Sequence, residues 1–163
     1  MSETHRIADQ LGRSQRGSAW HGPSLGELLA GVDAGLAQWR PLSGTHNMWE
    51  LLLHVTAWQS VALDAVEGSR MPELAGLEDW PAAGSTEQEW RGAVQKLDGI
   101  NRALVAAVSK FPDERLRETV PGRNYSFYFL LHGVVQHNLY HAGQIALLKA
   151  AAREEARGTA QAR

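Results

Sequence analysis

The stretch Ser126-Phe-Tyr-Phe-Leu-Leu-His-Gly-Val-Val-Gln-His-Asn-Leu-Tyr-His-Ala-Gly-Gln-Ile-Ala-Leu-Leu-Lys-Ala-Ala-Ala152 decides how this chain is read. Its apolar residues recur at a spacing near 3.6, which predicts one long helix over about 126–152. On that helix His137 and His141 share a face. Gly133 and Val134 lie one turn earlier and Gln144 and Leu148 continue the stripe, so two imidazoles sit on a face that is otherwise mostly apolar or small. The rest of the chain has the same period, and no run shows the alternation and β-branched enrichment of a strand. The reading is therefore all-α.

Working outward, Asn47 with Glu50 three residues later has the form of a capping box and opens a helix expected to end near Gly68. Its inward stripe comprises Leu51, His54, Trp58, Val61 and Ala65. Ser85 with Gln88 repeats the capping pattern and opens a helix through Trp90, Val94, Leu97, Leu104 and Val108, closed by Phe111-Pro112. In that helix Gly92 and Gly99 either weaken it or allow close packing. A first helix is expected over about 3–16, stopped at Gly17-Ser18. Short helices should follow Ser24, which has Glu27 as its capping partner, and Asp33, before Pro41 ends the second. Residues 69–84, with Pro72, Gly76, Pro81 and Gly84, read as a loop that can cover part of a site. From about residue 153 a charged, Ala-rich tail is expected to fray. Four principal helices with short additional helices in their connections make a four-helix bundle.

A chain of 163 residues that is 44% hydrophobic suits a single domain over 1–163 with one sizeable core. The 16 basic side chains are balanced by 18 acidic ones with no basic run, which argues against nucleic acid as a direct partner. No apolar run approaches the ~20 residues of a membrane span, and the first ten residues lack the apolar core of a secretory signal. A cytoplasmic location, with no membrane partner, is the expectation. Cysteine is absent, so any metal would be held by imidazole, carboxylate or amide groups.

Seven histidines are then the residues to sort. Side chains four apart differ by about 40° in azimuth, so His137 and His141 can chelate one ion. His54 supplies a third imidazole from the run Trp49-Glu-Leu-Leu-Leu-His-Val-Thr-Ala-Trp58, which should face the bundle interior. On spacing alone the pair reads equally as a hydrogen-bonded core pair or a surface coincidence, and His54 as a satisfied core histidine. His132 lies about 140° round the helix from His137 and cannot share its ion. His46 is expected to serve helix initiation, and His5 and His21 stay outside the group.

The segments His46-Asn-Met-Trp-Glu-Leu-Leu-Leu-His-Val-Thr-Ala-Trp58 and His132-Gly-Val-Val-Gln-His-Asn-Leu-Tyr-His-Ala-Gly-Gln-Ile145 resemble the DinB/YfiT-like superfamily in motif order and spacing. Ala19-Trp-His-Gly-Pro-Ser-Leu25 and Val120-Pro-Gly-Arg-Asn-Tyr-Ser126 are also similar to family segments. The resemblance implies a four-helix bundle with a three-histidine metal site near one end, its ligands carried over to His54, His137 and His141. It also implies a divalent ion, with zinc or nickel ahead of iron, manganese or copper, and a homodimer. Relatives include metal-dependent enzymes that use a low-molecular-weight thiol, such as bacillithiol or mycothiol transferases and maleylpyruvate isomerase. Family membership alone does not select an activity.

The expectation is therefore a metal-dependent enzyme of thiol S-transferase or hydrolase type acting on a small molecule, with the ion activating a thiol or water. Its alternative is a non-catalytic module in which the metal stabilises the bundle or holds a small ligand, or which acts by dimerisation. Glu50, one turn before His54, is the candidate outer-sphere acceptor, extra ligand or general base, beside its capping role. Gly133 either leaves room for substrate or allows tight helix packing. Gln144 can hydrogen-bond near the ion or simply pack, and Tyr140 has no derived role.

Overall fold

The computed structural model describes residues 1–73 and 78–161, the last three of these by backbone alone. Among the described residues six α-helices are formed: α1 Glu3–Gln15, α2 Leu25–Leu29, α3 Ala34–Gln38, α4 Met48–Val66, α5 Glu87–Lys110 and α6 Phe127–Gln161. A 3-10 turn, Asp113–Arg117, joins the last two, and no strand occurs among the described residues. Gly76, part of the expected loop, lies outside the described residues.

The helix starts follow from side-chain chemistry. Ser24 and Glu27 box the start of α2, and Asn47 and Glu50 that of α4, each pair satisfying two otherwise unpaired backbone donors. At α5 the box is Thr86 with Glu89, one residue beyond the expected Ser85 and Gln88. The Glu89 carboxylate accepts from the amides of both Ser85 and Thr86 at 2.9 Å, and an ionised acceptor there also favours the helix dipole. Past Ala152, α6 continues to Gln161, through residues 153–157 of good helix propensity and then across Gly158, with Arg157 paired to Glu154 at 2.8 Å.

In the bundle α4 packs against α5 and α6, and α1 packs against the same two, so α1 and α4 lie diagonally opposite. The short α2 and α3 close one end, α2 resting on α6 and α3 on α4 and α5. The core divides into two apolar clusters. One gathers Ile7, Leu11, Ala62, Leu104, Phe127 and Leu131; the other gathers Leu25, Trp49, Leu52, Trp90, Leu97 and Ile145. Between them runs a buried polar layer. Gln59 Nε2 donates to Asn138 Oδ1 at 3.2 Å, Asn101 Nδ2 donates to Gln59 Oε1 at 3.0 Å, and Asn138 Nδ2 donates to the Ser14 hydroxyl at 3.2 Å. All four long helices contribute one member, which fixes their mutual heights. Asn138 stands between His137 and His141 on α6, so the histidines occur where the core is already polar.

Candidate metal centre

His54 comes from the middle of α4 and His137 and His141 from successive turns of α6; these two helices are in direct contact. His54 and His141 are each 5% exposed. The Nε2 atoms converge: His137 lies 2.9 Å from His54 and 3.1 Å from His141. Ligand atoms of all three fall within 4.8 Å of one another, and among the described residues these three histidines form the group able to hold a metal ion. With bonds of 2.0–2.1 Å, tetrahedral nitrogens would stand about 3.3 Å apart, so the two close pairs at His137 need an expansion of only a few tenths of an ångström to admit a zinc-sized ion.

The outer nitrogens determine what the inner ones offer. His54 Nδ1 lies 2.7 Å from the backbone carbonyl of Asp79, which can only accept, so Nδ1 carries the proton and Nε2 presents a lone pair. His141 Nδ1 donates in the same way to Gln144 Oε1 at 2.6 Å. Both lone pairs therefore face His137 Nε2. A neutral His137 can place at most one proton there, so at least one of the close nitrogen pairs is not a linear hydrogen bond. A cation at the point of convergence satisfies all three. His137 Nδ1 is buried without a partner among the described residues, so no protein group fixes that ring's tautomer. The donor set fits a divalent ion that accepts imidazole.

Burial pushes His137 from its ordinary 6.5 down to about 4, helped by His141 and His54 beside it. His141 is also lowered, chiefly by burial and then against the pull of its bond to Gln144. Both rings are consequently neutral at neutral pH, the form in which imidazole coordinates metal.

Two residues that the sequence reading did not single out complete the surroundings. Asp79 Oδ1 accepts from Trp58 Nε1 at 2.7 Å and lies 3.2 Å from His54 Nδ1, while Trp80 stacks on His54 at 3.9 Å between ring centres with planes 5° apart. On its other face Trp80 stacks on His46 at 3.4 Å. The end of the connection before α5 thus covers one side of the group, as the expected loop allowed. An aromatic beside an acid in a Gly- and Pro-rich loop was the available signal, but nothing in the period of the sequence tied it to His54.

Glu50 occupies a different shell. Its carboxylate accepts from Arg40 Nη2 at 2.6 Å and the Asn47 amide at 3.1 Å, and meets His46 Nδ1 at 3.1 Å. Burial alone would raise its pKa, but the hydrogen bonds from Asn47, Arg40 and His46 outweigh it and hold the group below 4.5. Gln144 contacts the centre through His141, and Tyr140 is 67% exposed with its ring 5.0 Å from that of His141. His132 stands apart, beside Glu3 and Tyr128. The Cβ of a residue larger than glycine at position 133 would meet nothing within 4 Å, so Gly133 is a place of open space rather than of tight helix packing. The same holds for Gly92 and Gly99 in α5.

Helical bundle and histidine group together define an all-α protein with a metal-competent centre between two core helices. The family model of the DinB superfamily matches residues 20–145, a span that includes all three histidines, and the chain belongs to that superfamily. No curated protein and no solved structure gives a significant match to it. No helix among the described residues is long and apolar enough to cross a membrane.

Proposed function

We propose that His54, His137 and His141 bind one divalent metal ion, zinc or nickel first, and that the protein is an enzyme of thiol S-transferase or hydrolase type acting on a small molecule. The observation that carries this reading is the convergence of three Nε2 atoms whose partner nitrogens, on two of the rings, are fixed outward by Asp79 and Gln144. When bound, the ion supplies Lewis acidity that lowers the pKa of a coordinated thiol or water. Three protein ligands from two helices leave positions open for such a group, as catalytic sites require.

The chain's own residues orient and shield. Asp79 holds the His54 ring, Gln144 holds that of His141, and Trp80 covers the His54 face against water. Glu50 is proposed as a positioning residue in the outer shell rather than a base, because an anion already engaged by Arg40, Asn47 and His46 is a poor proton acceptor. For assembly we propose a homodimer, supported by the exposed Trp20, Tyr140 and Leu147 and readable by light scattering. The catalytic reading is tested by loading the protein with cobalt(II) and titrating in 2-mercaptoethanol. A sulfur-to-cobalt charge-transfer band that saturates supports thiol activation, whereas an unchanged spectrum, with no hydrolysis of activated esters, leaves a metal that only stabilises the bundle.

A further inference from the structure

Beside the histidine group the α4/α6 groove holds a cavity of about 210 Å³. Leu130 and Val134, both buried, come from the turns of α6 preceding His137, and Trp58 stands opposite on α4, one turn beyond His54. Tyr125 and Phe129 complete the lining with their rings 5.2 Å apart, and Phe129, 65% exposed, marks the side open to solvent. The polar atoms of the other lining side chains are engaged elsewhere. Trp58 Nε1 donates to Asp79 Oδ1, and the Tyr125 hydroxyl donates to Met71 Sδ at 3.8 Å. His137 alone belongs to both this lining and the metal-competent group.

We propose that this cavity is the subsite for the apolar part of the substrate: a compact hydrocarbon group, aliphatic or a single aromatic ring, attached to the donor atom that reaches the metal. The inference rests on the metal-binding reading above and adds to it the class of substrate. Size supports a single ring, since a buried apolar cavity of about 150 Å³ suffices for benzene. Chemistry supports hydrocarbon, since apart from His137, whose Nδ1 has no partner among the described residues, the polar side chains of the lining are already bonded, and a polar substituent placed against the rest of it would lose its hydration uncompensated. Gly133 lines this space and a Cβ added there would meet nothing within 4 Å, so the glycine leaves room that a larger side chain would take up.

The test uses the full chain with metal content measured on the same sample, and two probes. Benzene, which has no metal-binding atom, reports on the cavity alone through NMR shifts of the Gly133 amide and the Trp58 indole N–H. Straight-chain thiols from ethanethiol to hexanethiol report on cavity and metal together. Expected are saturable benzene shifts and, in the metal-loaded protein, affinity rising about fourfold per methylene until the cavity is full. Gly133→Leu should abolish both trends while keeping its metal, and Gly133→Ala should weaken them; either change removes the helix penalty of glycine, which favours folding. Absence of benzene shifts in wild type overturns the cavity assignment, and a flat thiol series in metal-loaded protein overturns its connection to the metal. Protein that takes up no metal overturns the reading on which the proposal rests, a failure distinct from the other two because the benzene arm is read without metal.

Discussion

At the scale of single residues the centre depends on a proton inventory. His137 lies within hydrogen-bonding distance of both other imidazoles, and Asp79 and Gln144 hold the protons of those two on the outer side. Asp79→Ala would leave its backbone carbonyl on His54 but remove the carboxylate that anchors Trp58 and approaches His54 Nδ1. Loss of such outer partners costs roughly 10- to 100-fold in metal affinity, and the lower end is expected here because the carbonyl remains. Competition with a chromophoric chelator measures it, and an unchanged affinity would remove Asp79 from the account. His137 gives a pH dependence in the metal-free protein. Its folded value of about 4 lies below the ordinary 6.5, so as the pH falls the unfolded chain takes up the proton first. Stability contributed by the neutral ring is whole above 6.5, declines from there to about 4 and then levels, with His141 acting in the same direction. Urea midpoints of chelator-treated protein across that window should fall with pH, and the slope should be reduced in His137→Ala.

The helices explain how much of this was legible in sequence. Capping boxes at Ser24 and Asn47 could be read directly, because the donor and acceptor lie three residues apart and need no tertiary context. At α5 two adjacent hydroxyl residues, Ser85 and Thr86, each had a suitable partner three residues on, and only the ionised Glu89 decided between them. Asn47→Ala is expected to cost about 1 kcal/mol by loss of the cap and to loosen the first turn of α4, which carries Glu50. Urea denaturation checks it, and a change within a few tenths would mean that packing of Trp49 and Leu52 holds the turn unaided. His54, His137 and His141 could be placed on facing helices from their period. Asp79 and Trp80 could not, because their place over His54 depends on how an irregular connection folds back on α4. Gly133 was open to two readings, which only the space around its Cα could separate.

Over the whole molecule, the bundle's two apolar clusters are separated by the layer of Ser14, Gln59, Asn101 and Asn138, and the histidines flank that layer on α6. Sequence periodicity gives the apolar stripes, but it cannot show that four polar residues distant in the chain meet at one height. Asn101→Leu would leave Gln59 Oε1 buried without its donor, an expected loss of about 1–3 kcal/mol in urea denaturation, with metal content unchanged because Asn101 lies on α5, which carries none of the three histidines. A loss of metal in that variant would show that the layer also sets the α4/α6 spacing. The most direct test of the central claim is elemental analysis of untagged wild type and the double variant His137→Ala, His141→Ala, purified without added metal, with circular dichroism confirming that the variant remains helical. Near-stoichiometric divalent metal in wild type, absent from the folded variant, is the predicted result; equal or negligible metal in both would contradict it.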